Sequence, residues 1–167
     1  MLLMNSSFKK IEQAIDTIGK RYPGSPRQEI ILYRLFCHVL SRLTCELNNK
    51  IKPFGINEST WIALLALYAN ADHALYPSDI SDTLDFSRTN ATRVSDELVK
   101  QGWCVRVSCC EDRRKVQLKL TPEGVALVES VIPVARVGMM EQWQDFDTAE
   151  KDTLEHLMRK LLLSLGG

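Results

Sequence analysis

What this 167-residue chain lacks narrows its identity before anything in it does. No apolar run approaches the ~18 residues that a membrane span needs. The opening Met1-Leu2-Leu3-Met4 is too short for a secretory signal and has no charged flank, so a cytoplasmic protein is expected. Its five cysteines are odd in number and include no C-x-x-C pair, which argues against a disulfide framework. His38, His73 and His156 are scattered, so no metal site is expected. There is no nucleophile elbow, no phosphate-binding loop and no pair of catalytic carboxylates beside a histidine. An enzyme is therefore not expected, and no cofactor is implied. Net charge is absent too, with 21 basic and 21 acidic residues.

The zero is a sum of unequal parts. Between Phe86 and Thr121 the cations are Arg88, Arg93, Lys100, Arg106, Arg113, Arg114, Lys115 and Lys119. The anions there are Asp96, Glu97, Glu111 and Asp112, so this stretch carries +4 and the remainder −4. A local basic footprint on an acidic body suits a protein that meets phosphates with one face.

The residues of that footprint fall into a definite order. Ser78 is placed to cap a short helix carrying Ile80 and Leu84 inward, and Asp85-Phe86-Ser87 breaks it. Ser87 then occupies an N-cap position. Behind it Ala91, Val94 and Leu98 form one apolar stripe, and Gly102 supplies a stop. The opposite face shows Arg88, Thr89, Asn90, Thr92 and Arg93 within two turns. Arginine can bond guanine bidentately, asparagine can do so for adenine, and a threonine methyl can meet thymine. These five residues are the candidate base readers. Ser78 and Ser87, at helix starts, either donate to phosphates or serve as caps alone.

Period two follows. Trp103 to Ser108 and Lys115 to Leu120 alternate on both sides of Cys109-Cys110-Glu111-Asp112-Arg113-Arg114, which predicts a half-buried hairpin with an exposed basic tip. Thr121-Pro122-Glu123 reads as a helix start: capping hydroxyl, proline at the first position, carboxylate in the first turn. A helix-turn-helix followed by a charged hairpin is a winged helix, so the fold class is mainly α with a small β element.

Long amphipathic helices flank this module. Residues 5–20 place Phe8, Ile11, Ile15 and Ile18 at helical spacing, and Tyr22 to Pro26 breaks the run. From Gln28 to about Lys52 a helix carries Phe36, Leu40, Leu43 and Leu47; a further helix spans Glu58 to Ala69. Asn70 to Tyr76 reads as a loop. Pro122 to about Met140 is helical with Val125, Val128, Val131 and Ile132 buried, and Pro133 is expected to bend it. Asp147 to Glu150 reads as a capping box ahead of a stripe formed by Leu154, Leu157, Met158, Leu161, Leu162 and Leu165. The expected organisation is an N-terminal arm (1–27), a winged helix-turn-helix (56–120), and a dimerisation region built from 28–55 and 121–167. Two-fold symmetry would set two recognition helices about 34 Å apart, demanding a pseudo-palindromic operator.

Asp112 to Gly124 resembles the wing pattern of the MarR family, D-x-R followed by L-x-L-T-x-x-G, and the likeness covers roughly residues 29 to 165. Ser87-Arg88-Thr89-Asn90-Ala91-Thr92-Arg93, Asp96-Glu97-Leu98 and Gly102-Trp103 look like its EmrR (MprA) branch, repressors of multidrug-efflux operons. The resemblance implies a homodimeric regulator, in which Asp112 braces Arg114 for a minor groove while Arg113 and Lys115 contact phosphates. It also implies a small aromatic or phenolic effector, for which Tyr33, Phe36, His38, Trp61 and Tyr68 are the candidate lining.

Two alternatives stay open. Cys109 and Cys110 lie beside three cations that lower a thiol's pKa, so a redox-responsive regulator is one of them. A winged helix that binds protein rather than DNA is the other. Cys37 and Cys45 read as small buried hydrophobes.

Overall fold

The computed structural model describes residues 6–83, 87–108 and 116–166. They fall into two compact units, one ending at Cys45 and one beginning at Glu46. In the first, helix α1 (Ser6–Arg21) is followed by the start of α2 (Arg27–Ile51). The turn between them is tied by Arg27, whose Nε donates to Asp16 Oδ1 at 2.6 Å, and by Ser25, whose hydroxyl donates to the Tyr22 carbonyl. Phe8 is buried, with its ring centroid 5.9 Å from that of His38. Much of α2's apolar surface nevertheless lies open: Leu32, Tyr33, Phe36, Val39 and Leu40 are exposed.

Cys37 and Cys45 are exposed as well, which corrects the expectation that they are buried. They sit on a helix whose apolar stripe is itself uncovered in the single chain.

The second unit is the winged helix with its flanking helices. After a single 3-10 turn (Lys52–Phe54), α3 spans Glu58–Ala69. Its start is fixed twice: Asn57 Oδ1 accepts from Thr60 N–H, and Asn48 Oδ1 accepts from Glu58 N–H. Then follow β1 (Ala74–Leu75), α4 (Pro77–Thr83), α5 (Arg88–Lys100), β2 (Cys104–Ser108), β3 (Val116–Leu120), α6 (Pro122–Gln142) and α7 (Thr148–Ser164). The sheet is antiparallel in the order β1-β3-β2, with Ala74 opposite Lys119 and Cys104 opposite Leu120.

Ile51, Leu64, Leu67, Ile80, Val94, Leu98, Leu118, Val128 and Val131 form its fully buried core. Removing one such aliphatic side chain from water is worth on the order of 2 kcal/mol. The core thus draws on α3, α4, α5, β3 and α6 together, which fixes α5 against the sheet with its polar side outward. Thr121 caps α6 by accepting from Gly124 N–H at 3.0 Å. Asp147 and Glu150 complete the expected capping box at α7. The helix continues through Pro133 from Pro122 to Gln142.

Three local expectations change. The stretch read as a loop from Asn70 to Tyr76 contains β1, two residues too short to show a period. The hairpin is less buried than its alternation suggests: beyond Cys104 every residue of β2 is exposed, whereas β1 at the other edge of the sheet is half-buried. Ser78 does not cap α4 but lies inside its first turn, where Asp79 Oδ2 accepts the Tyr76 N–H. Leu84, Asp85 and Phe86 lie outside the described residues. No described helix is long and apolar enough to cross a membrane.

Candidate nucleic-acid interface

Helix α5 presents the candidate surface, and its geometry begins at Ser87. The serine backbone is extended, and its hydroxyl accepts the Asn90 N–H at 3.2 Å, so the cap expected there is formed. Ala91, Val94, Ser95 and Leu98 are buried on the inner side. Ser95 satisfies its hydroxyl internally by donating to the Ala91 carbonyl. What remains outward is fixed by this anchoring.

Thr89, Thr92 and Arg93 share one open face of α5 with Asp96, Glu97 and Lys100. Arg88, at the first helical position, instead lines a cleft against α4 with Ser78, Ser81 and Asp82. Thr92 lines both the open face and this cleft, so it joins Thr89 and Arg93 on one side to Arg88 on the other.

Several of these side chains already have partners. Arg93 Nη2 donates to Asn90 Oδ1 at 3.0 Å, and Thr92 Oγ1 donates to the Arg88 carbonyl. Asn90 needs both amide atoms for a bidentate bond to adenine. Its Oδ1 accepts one bond from Arg93 here and keeps a second lone pair, so the amide can still meet adenine with Arg93 in place. The two carboxylates on the same face are held too: Asp96 by Arg106 of β2, and Glu97 by the Gln101 amide at 2.7 Å. The Asp96–Arg106 pair has no signal in the sequence, since its members are ten positions apart on a helix and a strand.

The wing strands pair up to Ser108 opposite Val116. The tip residues Asp112, Arg113, Arg114 and Lys115, and the thiols Cys109 and Cys110, lie outside the described residues. Cys104, by contrast, is buried at the foot of β2, and burial pushes its thiol up to about 12.

The effector candidates occupy unlike surroundings. Tyr33 and Phe36 are exposed on α2, and His38 packs against Phe8 with its Nε2 buried and unpartnered. Trp61 is a core residue of the second unit, 4% exposed. Tyr68 stacks on His73 and donates its hydroxyl to Glu129 at 3.2 Å. The charge of Glu129 raises the pKa of that phenol.

Comparison with known proteins gives concordant results. The model of the MarR family matches residues 54–115, which span α3 to the wing. The transcriptional repressor MprA of Escherichia coli K12 is 41% identical over 162 residues, 97% of this chain and 92% of its own. The HTH-type transcriptional regulator PrsX of Escherichia coli is 32% identical over 155 residues, 93% of each chain. Among solved structures, a point mutant of Escherichia coli MarR complexed with operator DNA superposes with a TM-score of 0.75 at 28% identity. That match covers 81% of this chain and 96% of the other.

Proposed function

The chain belongs to the MarR family, and from that premise we propose that it is a homodimeric transcriptional repressor whose α5 reads a pseudo-palindromic operator. The observation that carries this reading is the face of α5. A capped helix anchored by Ala91, Val94 and Leu98 holds Thr89, Thr92 and Arg93 outward together, which is the chemistry of base-edge recognition in a major groove. Arg88 and Asn90 are kept as base readers beside them, and Ser78, Arg113 and Lys115 are assigned to phosphates. The family resemblance assigns Arg114 to the minor groove with Asp112 as its partner.

What the single chain leaves uncovered supports dimerisation. Tyr33, Phe36 and Leu40 of α2 and Leu157, Met158, Leu161, Leu162 and Leu165 of α7 are all exposed. Apolar surface of this extent on a soluble monomer marks an interface. A second copy of the chain offers the same helices in return, the self-complementary arrangement of two-fold dimers.

Release is assigned to a small aromatic or phenolic effector, for which Tyr33, Phe36 and His38 in the first unit and Trp61 and Tyr68 in the second are kept as separate candidate contacts. A ligand that prefers the dimer unable to hold DNA shifts the population toward release.

Gel shifts across a salt series test the reading, using a duplex selected from a random pool by the wild-type protein. Affinity is expected to fall steeply with salt as counterions are released. Arg93→Ala is expected to weaken the selected duplex by about 1–3 kcal/mol and a random duplex far less. Retardation of no duplex, even at low salt, would instead favour a protein-binding module. Adding small phenols is expected to dissociate the complex; phenol-insensitive binding would remove the effector from the reading.

A further inference from the structure

We propose that Arg106, on the first strand of the wing, is a positioning residue for DNA recognition that acts through Asp96 of α5. The proposal rests on the DNA-binding role of α5 and adds to it a group outside the helix.

The reason is electrostatic. On the open face of α5 the cations Arg93 and Lys100 are matched by the carboxylates Asp96 and Glu97. A surface of zero net charge gives a duplex no attraction, and two carboxylates aimed at phosphates repel it. Glu97 is held by the neutral amide of Gln101, which leaves its charge in place. Asp96 is held by the guanidinium of Arg106, which cancels it. Arg106 thus converts a balanced face into a cationic one.

The fold sets where this contact falls. Cys104, two residues before Arg106, is buried and fastens the foot of β2 to the core, whereas Arg106 itself lies on the exposed stretch. Its ion pair crosses from that strand to the C-terminal half of α5, one turn beyond Arg93. The pair therefore places the guanidinium of Arg106 on the carboxylate beside Arg93 without being needed to hold the two elements together. An exposed ion pair contributes little to folding stability, so the loss of Arg106 is expected to be felt in recognition.

The test compares wild type, Arg106→Gln and the double variant Asp96→Asn with Arg106→Gln on the wild-type-selected duplex and on a random duplex. Arg106→Gln leaves Asp96 facing phosphates, and affinity for the selected duplex is expected to drop roughly tenfold. Adding Asp96→Asn removes the unmatched charge and is expected to restore most of it. The repulsion from the unmatched charge is screened by salt, so the slope of log affinity against log salt is expected to flatten in Arg106→Gln and to return to the wild-type slope in the double variant. Unchanged affinity in Arg106→Gln, with wild type binding normally, overturns this inference alone. A loss that Asp96→Asn does not restore, whether or not the slope stays reduced by about 0.9 as a lost phosphate contact would leave it, also overturns it. A wild-type protein that retards no duplex overturns the DNA-binding reading, and this inference falls with it.

Discussion

Cys104 separates itself from the other described thiols by its surroundings. The residue is 1% exposed at the foot of β2, and burial lifts its pKa from an ordinary 9 to about 12. The reactive form is the thiolate, so Cys104 is expected to resist iodoacetamide in the native protein while the exposed Cys37 and Cys45 are modified. Peptide mapping by mass spectrometry before and after addition of urea reads the difference. The sign of the pH effect follows from the same shift. Below pH 9 both folded and unfolded thiols are protonated and stability does not depend on this group; between 9 and about 12 only the unfolded thiol ionises. Unfolding is therefore favoured as pH rises through that window. Labelling of Cys104 at the same rate as Cys37 would show that the strand foot opens in the native state.

Elements in this protein begin and end where short-range chemistry puts them, and that is why so much of the fold is legible in the sequence. Asn57, Ser87, Thr121 and Asp147 each accept a backbone N–H three residues on, the reach of a capping side chain. The boundaries of α3, α5, α6 and α7 follow from them. Contacts between elements are less visible. Strand β1 exists because Ala74 and Leu75 pair with Lys119 and Leu118, not because two residues have any strand pattern. The Arg106 bridge to Asp96 is hidden for the same reason, and the split of Arg88 from Arg93 depends on where α4 packs.

Gly124 shows how a sequence motif acquires a physical cause at this scale. A Cβ added there would lie 2.1 Å from the Trp103 carbonyl oxygen, with Leu120 also in contact. That oxygen accepts the Thr121 N–H and cannot simply step aside. Gly124→Ala is expected to push α6 off the wing base and to cost about 1–3 kcal/mol, the usual penalty of overpacking. Urea unfolding followed by circular dichroism measures it; a variant as stable as wild type would mean that α6 can shift without loss.

For the whole molecule, composition and family placement agree. The chain belongs with transcriptional regulators rather than enzymes, and its charge is arranged locally on a neutral total. The proposed dimer rests in part on α7, which has no buried residue among those described. Leu162 is 58% exposed, so a charge there harms no internal packing. Leu162→Glu is expected to yield a folded protein that sediments as a monomer and has lost affinity for the selected duplex. A Leu162→Glu protein that remains dimeric would move the interface elsewhere, to α2.

The bond between Arg93 and Asn90 would set a threshold if α5 reads bases as proposed, since each of the two groups now serves as the other's ligand. A base edge would then have to draw the guanidinium off the amide before it could hold it, and a mismatched edge would leave the pair closed on the helix.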